Sequence, residues 1–367
     1  MKIVPPSSPR NKVLDVLRGH YLIAMLLGHM SYYIGNSLFT FYEGNSSLWV
    51  SPAEGFIFLS GFFVTYISYK RLEKYGFWNI LKAFWKKAFW MYVLGVTLTI
   101  IYTVVATYFG KGPNVSGGLQ SFDFQTLVIK ALTYKYNYSW ADILMMYVPF
   151  MILAPLLLQV FKSRLSLLVL GISALLWASN FGKSSCSTFC VSFFEVTSWQ
   201  FLFILGMFVA FKKDFFANLY QQVFSNVYLK GLVFVAFILT VIASVYDMFF
   251  QGFTGSTKEI LNILINKENI GAGRILVFGL WMCVYYFLIQ RYIDKFPKLF
   301  RFIYEELGKN SLTTYVIQSI VLFVFYYFPL KYGFWANNLY QVLALSSVVL
   351  LLLGFKKIQN RGKNITK

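Results

Sequence analysis

Residues 13–35 read VLDVLRGHYLIAMLLGHMSYYIG, an apolar run able to cross the roughly 30 Å hydrocarbon layer of a bilayer as one helix. Four ionisable side chains interrupt it: Asp15, Arg18, His20 and His29. A charged group at mid-bilayer costs about 2.5–3.5 kcal/mol on insertion scales, so such residues face protein or water and mark candidate functional positions.

Helix geometry sorts the four. Arg18 and His29 are spaced to fall within ~20° of one face and ~16 Å apart along the axis, with Leu22 and Met25 between them. Asp15 and Arg18, at i and i+3, can pair. His20 faces nearly the opposite way. A plainer reading also stands, in which Asp15 and Arg18 anchor the helix end and His29 bonds a neighbouring helix. His29 is one of only two histidines, and imidazole is the natural general base near neutral pH.

Working outward, similar runs recur at 48–69, 88–109, 139–161, 165–182, 198–211, 230–250, 273–291, 310–330 and 337–355. Segment 125–135 reads as an interfacial helix. The expected architecture is therefore an all-α polytopic bundle of about ten transmembrane helices, forming a single integral-membrane domain over 1–367. Only 13% of the chain is charged, against about a quarter for soluble domains, which excludes a soluble fold. The net charge of +19 does not point to nucleic acid. Lys and Arg alternate between loops with a bias of about three to one, the pattern that holds basic loops in the cytoplasm. On that rule both termini are cytoplasmic, with 1–12 an N-terminal segment and 356–367 a basic tail. The polar, Pro-rich start also argues against a cleavable signal peptide.

Loop and helix-end residues add detail. Ser51, Pro52 and Glu54 form a capping box at the start of the second span, which alone could explain Glu54. Glu54 would also lie at a depth similar to His29 and sharpen it as a base. Ser139 with Asp142 is a plausible cap for the fourth span. Trp199 and Gln200 open the sixth, as an interfacial anchor or a sugar platform. Cys186 and Cys190 lie in an outer-face loop, where a disulfide between them is expected in an oxidising compartment. Cys283 reads as core filler. No residue pattern calls for a metal.

These stretches together resemble a known family. DVLRG (Asp15 to Gly19) followed by His29 resembles the first-span signature of the membrane acyltransferase-3 superfamily. SPAEGFIFLSGF (Ser51 to Phe62), WADILMMYVPFMILAPLLL (Trp140 to Leu158), FFEVTSWQFLFILG (Phe193 to Gly206) and LGKNSLTTYVIQS (Leu307 to Ser319) resemble its OpgC-type branch. The resemblance covers nearly the whole chain in order. It implies transfer of an acyl group, succinyl or acetyl, from cytoplasmic acyl-CoA to a hydroxyl of a periplasmic or outer-face glycan, in a bacterial inner membrane. It also implies a catalytic role for His29, a donor-side or structural role for Arg18 and Asp15, and active-site roles for Glu54, Asp142, Trp199 and Gln200.

One departure stands out. Relatives tend to carry arginines before the third span, whereas this chain has Lys86 and Lys87 there, which bind phosphate as point charges without the planar fork. Arg71 is a rival on the same cytoplasmic side. The expected donor is acyl-CoA, with no permanently bound cofactor, and the expected partners are lipid and a glycan acceptor. A transporter or flippase of envelope glycans is the alternative reading. Oligomeric state is not legible from the sequence.

Overall fold

The computed structural model describes residues 11–35, 37–43, 48–109, 123–163, 165–183, 189–192, 194–250, 252–327 and 333–365. Helices dominate: α1 (Lys12–Ile34), α2 (Thr40–Glu43), α3 (Pro52–Tyr75), α4 (Phe77–Tyr108), α5 (Phe124–Leu132), α6 (Asp142–Lys162) and α7 (Ser166–Ala178). Two short antiparallel strands, β1 (Cys190–Val191) and β2 (Phe194–Glu195), lead into α8 (Val196–Phe211) and α9 (Lys213–Ser225). α10 (Val227–Phe250), α11 (Gly255–Leu264), α12 (Ala272–Tyr292), α13 (Lys298–Lys309), α14 (Ser311–Tyr327) and α15 (Phe334–Ile365) complete the chain. The fold is all-α, as expected, and each of the ten apolar runs coincides with a helix.

Among the described residues, five helical segments are long and apolar enough to cross a membrane: Phe77–Tyr108, Asp142–Lys162, Val227–Met248, Ala272–Lys295 and Phe334–Arg361. The protein is thus a membrane protein. α7, α8 and α14 are apolar but shorter. α1 and α3 have 23 and 24 residues, and both carry ionisable groups. A helix wrapped by protein can hold polar side chains that a lipid-facing helix cannot. The burial of α1 fits this, since Asp15, Gly19 and most of its apolar residues are covered. By contrast, Leu232, Val235, Leu239 and Ile242 of α10 are all exposed, as befits a lipid-facing helix.

Two compact units divide the chain. The first comprises Met1–Phe56, Phe224–Phe253 and Leu276–Lys367, and the second Ile57–Val223 and Thr254–Ile275.

In the first unit, Asn11 caps α1, its side chain accepting from the backbone N–H of Val13 and Leu14 at 3.0 and 3.3 Å. α13 lies against α1 with backbone touching backbone. A Cβ on Gly19 would sit 2.0 Å from the Tyr304 carbonyl oxygen, and one on Gly308 would sit 1.8 Å from that of Asp15. Small residues permit such approach between membrane helices. α13 is an amphipathic helix that hydropathy reading passed over as loop.

The second unit repeats the device. A Cβ on Gly61 would sit 1.9 Å from the Phe203 carbonyl oxygen, and one on Gly206 would sit 2.0 Å from that of Phe58, so α3 and α8 cross on reciprocal glycines. Gly76, at φ 77°, is the single residue between α3 and α4. α4 begins at Phe77, well before the apolar run expected from 88, because Lys82, Lys86 and Lys87 lower hydropathy without lowering helix propensity. α5 fits the expected segment 125–135. It is capped by Asp123, and the Tyr92 hydroxyl donates to the Leu132 carbonyl at 2.7 Å.

Candidate functional site

In the first unit, α1 is unbroken from Lys12 to Ile34, so Asp15, Arg18 and His29 belong to one rigid helix. Asp15 is buried at the α13 crossing, while Arg18 and His29 are half-buried. Between them two buried amides reach the α1 backbone. Gln318 of α14, its amide oriented by its partners, donates to the Leu22 carbonyl at 3.1 Å and accepts from the Leu26 N–H at 3.2 Å. Gln341 of α15 donates to the Ser31 hydroxyl oxygen at 2.6 Å and to the Leu27 carbonyl at 3.3 Å. Buried amides of this kind fix a helix by satisfying polar groups that lipid cannot. The sequence reading missed both, although Gln318 falls inside the Leu307 to Ser319 stretch.

Glu54 is fully buried. Both the N–H and the hydroxyl of Ser51 donate to its Oε2, at 2.8 and 2.6 Å, so the capping box read from the sequence is formed. The adjoining Gly55 lies against the Tyr21 ring, where a Cβ would meet the ring at 2.1 Å. Phe56 stacks on Tyr315 at 6.3 Å. Tyr21 precedes His29 by about two turns, ~12 Å along α1. The Glu54 turn packs against Tyr21 of α1, because the chain after α1 folds back along it.

That return is pinned by His20. Its Nδ1 lies 2.9 Å from the Tyr42 hydroxyl, which lies 2.8 Å from the hydroxyl of Tyr304. The rings of Tyr21, Tyr42 and Tyr285 surround the imidazole edge-on at 5.2–5.3 Å. His20 therefore has a structural environment of its own, on the face of α1 opposite His29.

The second unit holds the other expected residues. Asp142 is buried at the first position of α6, three residues after the expected Ser139 start, and its Oδ1 accepts from the Ile143 N–H at 2.6 Å. Trp199 is fully buried, edge-on to Phe194 at 4.9 Å, and donates its indole N–H to the Glu268 carbonyl at 3.0 Å. Gln200 bridges α7 and α8, accepting from the Ser173 hydroxyl at 2.8 Å and donating to the Ser173 carbonyl at 2.9 Å. A ring that stacks on sugar needs an open face, and Trp199 has none. Trp199 braces loop 265–271, and Gln200 ties α7 to α8.

Arg71 stands half-buried in the last turns of α3, its Nε without a hydrogen-bond partner among the described residues. Lys86 and Lys87 are exposed near the start of α4, with Lys82 one turn before Lys86. The second unit thus gathers cations around the α3–α4 corner, a setting suited to an anionic ligand. Cys190 is half of a disulfide and Cys283 is a free thiol. Cys186, its expected partner, lies outside the described residues. No group of three or more His, Cys, Asp or Glu suited to a metal occurs among the described residues.

An all-helical membrane bundle, with ionisable side chains set inside its first helix, is the class these observations define. The chain belongs to the OpgC protein family, whose pattern it matches over residues 10–361. Membership implies an acyltransferase-type membrane enzyme. No curated protein and no solved structure matches the chain.

Proposed function

We propose that the protein is an O-acyltransferase of the bacterial inner membrane that moves an acyl group from cytoplasmic acyl-CoA to a hydroxyl of a periplasmic or outer-face glycan. Ten membrane-spanning helices in a single integral-membrane domain, with both ends cytoplasmic, belong to this reading. The observation that carries it is family membership along nearly the whole chain, in a protein whose first helix aligns Arg18 and His29 on one stripe.

CoA is large and anionic and cannot cross lipid, and a glycan hydroxyl on the far side cannot enter. A protein-lined path for the pantetheine arm solves both problems. Arg71, Lys86 and Lys87 take the phosphates, and Arg18 and Asp15 have a donor-side or structural role. His29 takes the proton of the acceptor hydroxyl, whose oxygen attacks the thioester carbonyl and expels CoA thiolate, which then recovers a proton. Glu54 favours the protonated imidazole electrostatically. Asp142, Trp199 and Gln200 support the acceptor side, and the Cys186–Cys190 disulfide braces the outer loop.

Acyl transfer by a His29→Ala variant in proteoliposomes tests this, with acetyl-CoA and succinyl-CoA as donors and free CoA as the readout. The expected result is loss of transfer by about 10²-fold or more with insertion and folding unchanged. Wild-type rates from that variant would remove His29 from the chemistry. A wild-type protein that releases no CoA with any glycan would instead favour transport.

A further inference from the structure

Within the second unit, loop 265–271 between α11 and α12 is held from several sides. The indole N–H of Trp177 donates to the Ile270 carbonyl at 2.6 Å, and that of Trp199 to Glu268 at 3.0 Å. The Glu195 N–H donates to the same Glu268 carbonyl at 3.2 Å. The Asn269 amide donates to the Lys183 carbonyl at 2.7 Å, and the Arg274 guanidinium to the Ile265 carbonyl at 3.1 Å. Ile270 adopts φ 49°, a left-handed conformation that disfavours a β-branched residue. Strain of this sort persists only where the surroundings over-determine it, and it concentrates at ligand sites.

Beside the loop lies a cavity of about 240 Å³ lined by Phe181, Lys183, Asn262, Ile263, Asn266 and Asn269. It falls just below the roughly 300 Å³ where sites for drug-sized ligands begin, which suits a single small ring. Phe181 and Ile263 are exposed and offer apolar walls. Asn262 and the Lys183 ammonium supply polar groups at the rim; the ammonium already donates to Asn180 at 2.8 Å and has further protons to give. Asn269 is 3% exposed, and its Oδ1 accepts no hydrogen bond among the described residues. No carboxylate lines the cavity among the described residues. A single cation is too little for a phosphate, and no open pair of aromatic faces suits a base.

We propose that this cavity is a saccharide subsite, in which one sugar ring lays its C–H face on Phe181 and Ile263 and its hydroxyls meet Asn262, Asn266 and Lys183. Trp177 and Trp199 act through the loop they hold, as positioning residues. The inference rests on the proposed function, because the ten-span topology puts this loop and Lys183 on the outer side, where the glycan acceptor is.

The test is saturation-transfer NMR with methyl glucoside, methyl galactoside and methyl rhamnoside. The full-length protein is held in phosphatidylcholine nanodiscs free of sugar detergents. Signal transfer to at least one glycoside is expected, weakened about tenfold in Phe181→Ala and in Asn262→Ala, both on exposed positions. In acyl-transfer assays the two cavity variants should raise KM for a glycan acceptor and leave kcat unchanged. No transfer to any glycoside from folded wild-type protein, or undiminished transfer in both variants, overturns the subsite. Binding lost in these variants of a protein that releases no CoA would sustain the subsite and remove the acyltransferase reading, so the two failures are separable.

Discussion

His20 and Tyr42 are joined side chain to side chain at 2.9 Å, although Tyr42 follows α1 and His20 lies deep within it. The chain after α1 must therefore turn back along the helix it has just left. Tyr304 extends the link to α13 through its hydroxyl, 2.8 Å from that of Tyr42.

Tyr42→Phe takes the shared hydroxyl away from both His20 and Tyr304. A buried polar group without a partner costs about 1–3 kcal/mol, so the melting temperature of the purified protein should fall accordingly. Tyr304→Phe should add little to Tyr42→Phe, because the two substitutions break one chain. Full additivity would show that the link does not act as a unit.

The reciprocal glycines of α3 and α8 make a sharper steric prediction. Gly206→Val should abolish stable folding, since its Cβ has a backbone carbonyl in its way rather than a movable side chain. Gly171→Ala and Gly279→Ala, with nothing within 4 Å of the added carbon, should be neutral or slightly stabilising. Fluorescence-detected size exclusion reads all three. A monodisperse Gly206→Val protein would contradict the close crossing.

Glu54 invites a separation of roles. Glu54→Gln keeps an oxygen to accept from Ser51 but loses the charge, whereas Glu54→Ala loses both. Stability should hold in the first variant and fall by about 1 kcal/mol in the second. Acyl transfer should drop in both. Wild-type transfer by Glu54→Gln would confine Glu54 to capping.

A pH effect on stability follows from the charge cluster where α13 meets α15. Burial pushes Glu306 up, but the hydrogen bond and charge of Lys356, with Lys309 beside it, more than offset that, and its carboxyl sits below the ordinary 4.5. A depressed folded-state pKa stabilises the protein above the unfolded value, and the benefit is lost as pH falls below 4.5 through the folded value. Glu306→Gln should flatten that acid limb of the melting curve. The group is partly exposed, so the change should be modest and screened by salt.

Periodicity and hydropathy placed a helix at each of the ten apolar runs, and local spacing gave the Ser51–Glu54 box, since both depend on neighbours along the chain. The return of the chain beneath His20 depends on Tyr42 and Tyr304, far apart in sequence and unremarkable in composition. Gln318 and Gln341 were equally hidden, because an amide in an apolar helix does not announce which backbone it will meet. Trp199 was read as interfacial from its place at a helix start. The structure turns it inward because the Glu268 carbonyl comes to its indole from a distant loop. Lys82, Lys86 and Lys87 looked like loop residues because hydropathy measures lipid solubility, whereas helix α4 continues through them.

That last feature has a kinetic side. α4 has 32 residues, ~48 Å of helix, against roughly 30 Å of hydrocarbon. Its basic end projects as a stiff mast whose backbone is already ordered before any polyanion arrives. Capture of an anion there gives up little chain freedom on docking, so such a mast slows its release rather than weakening the hold.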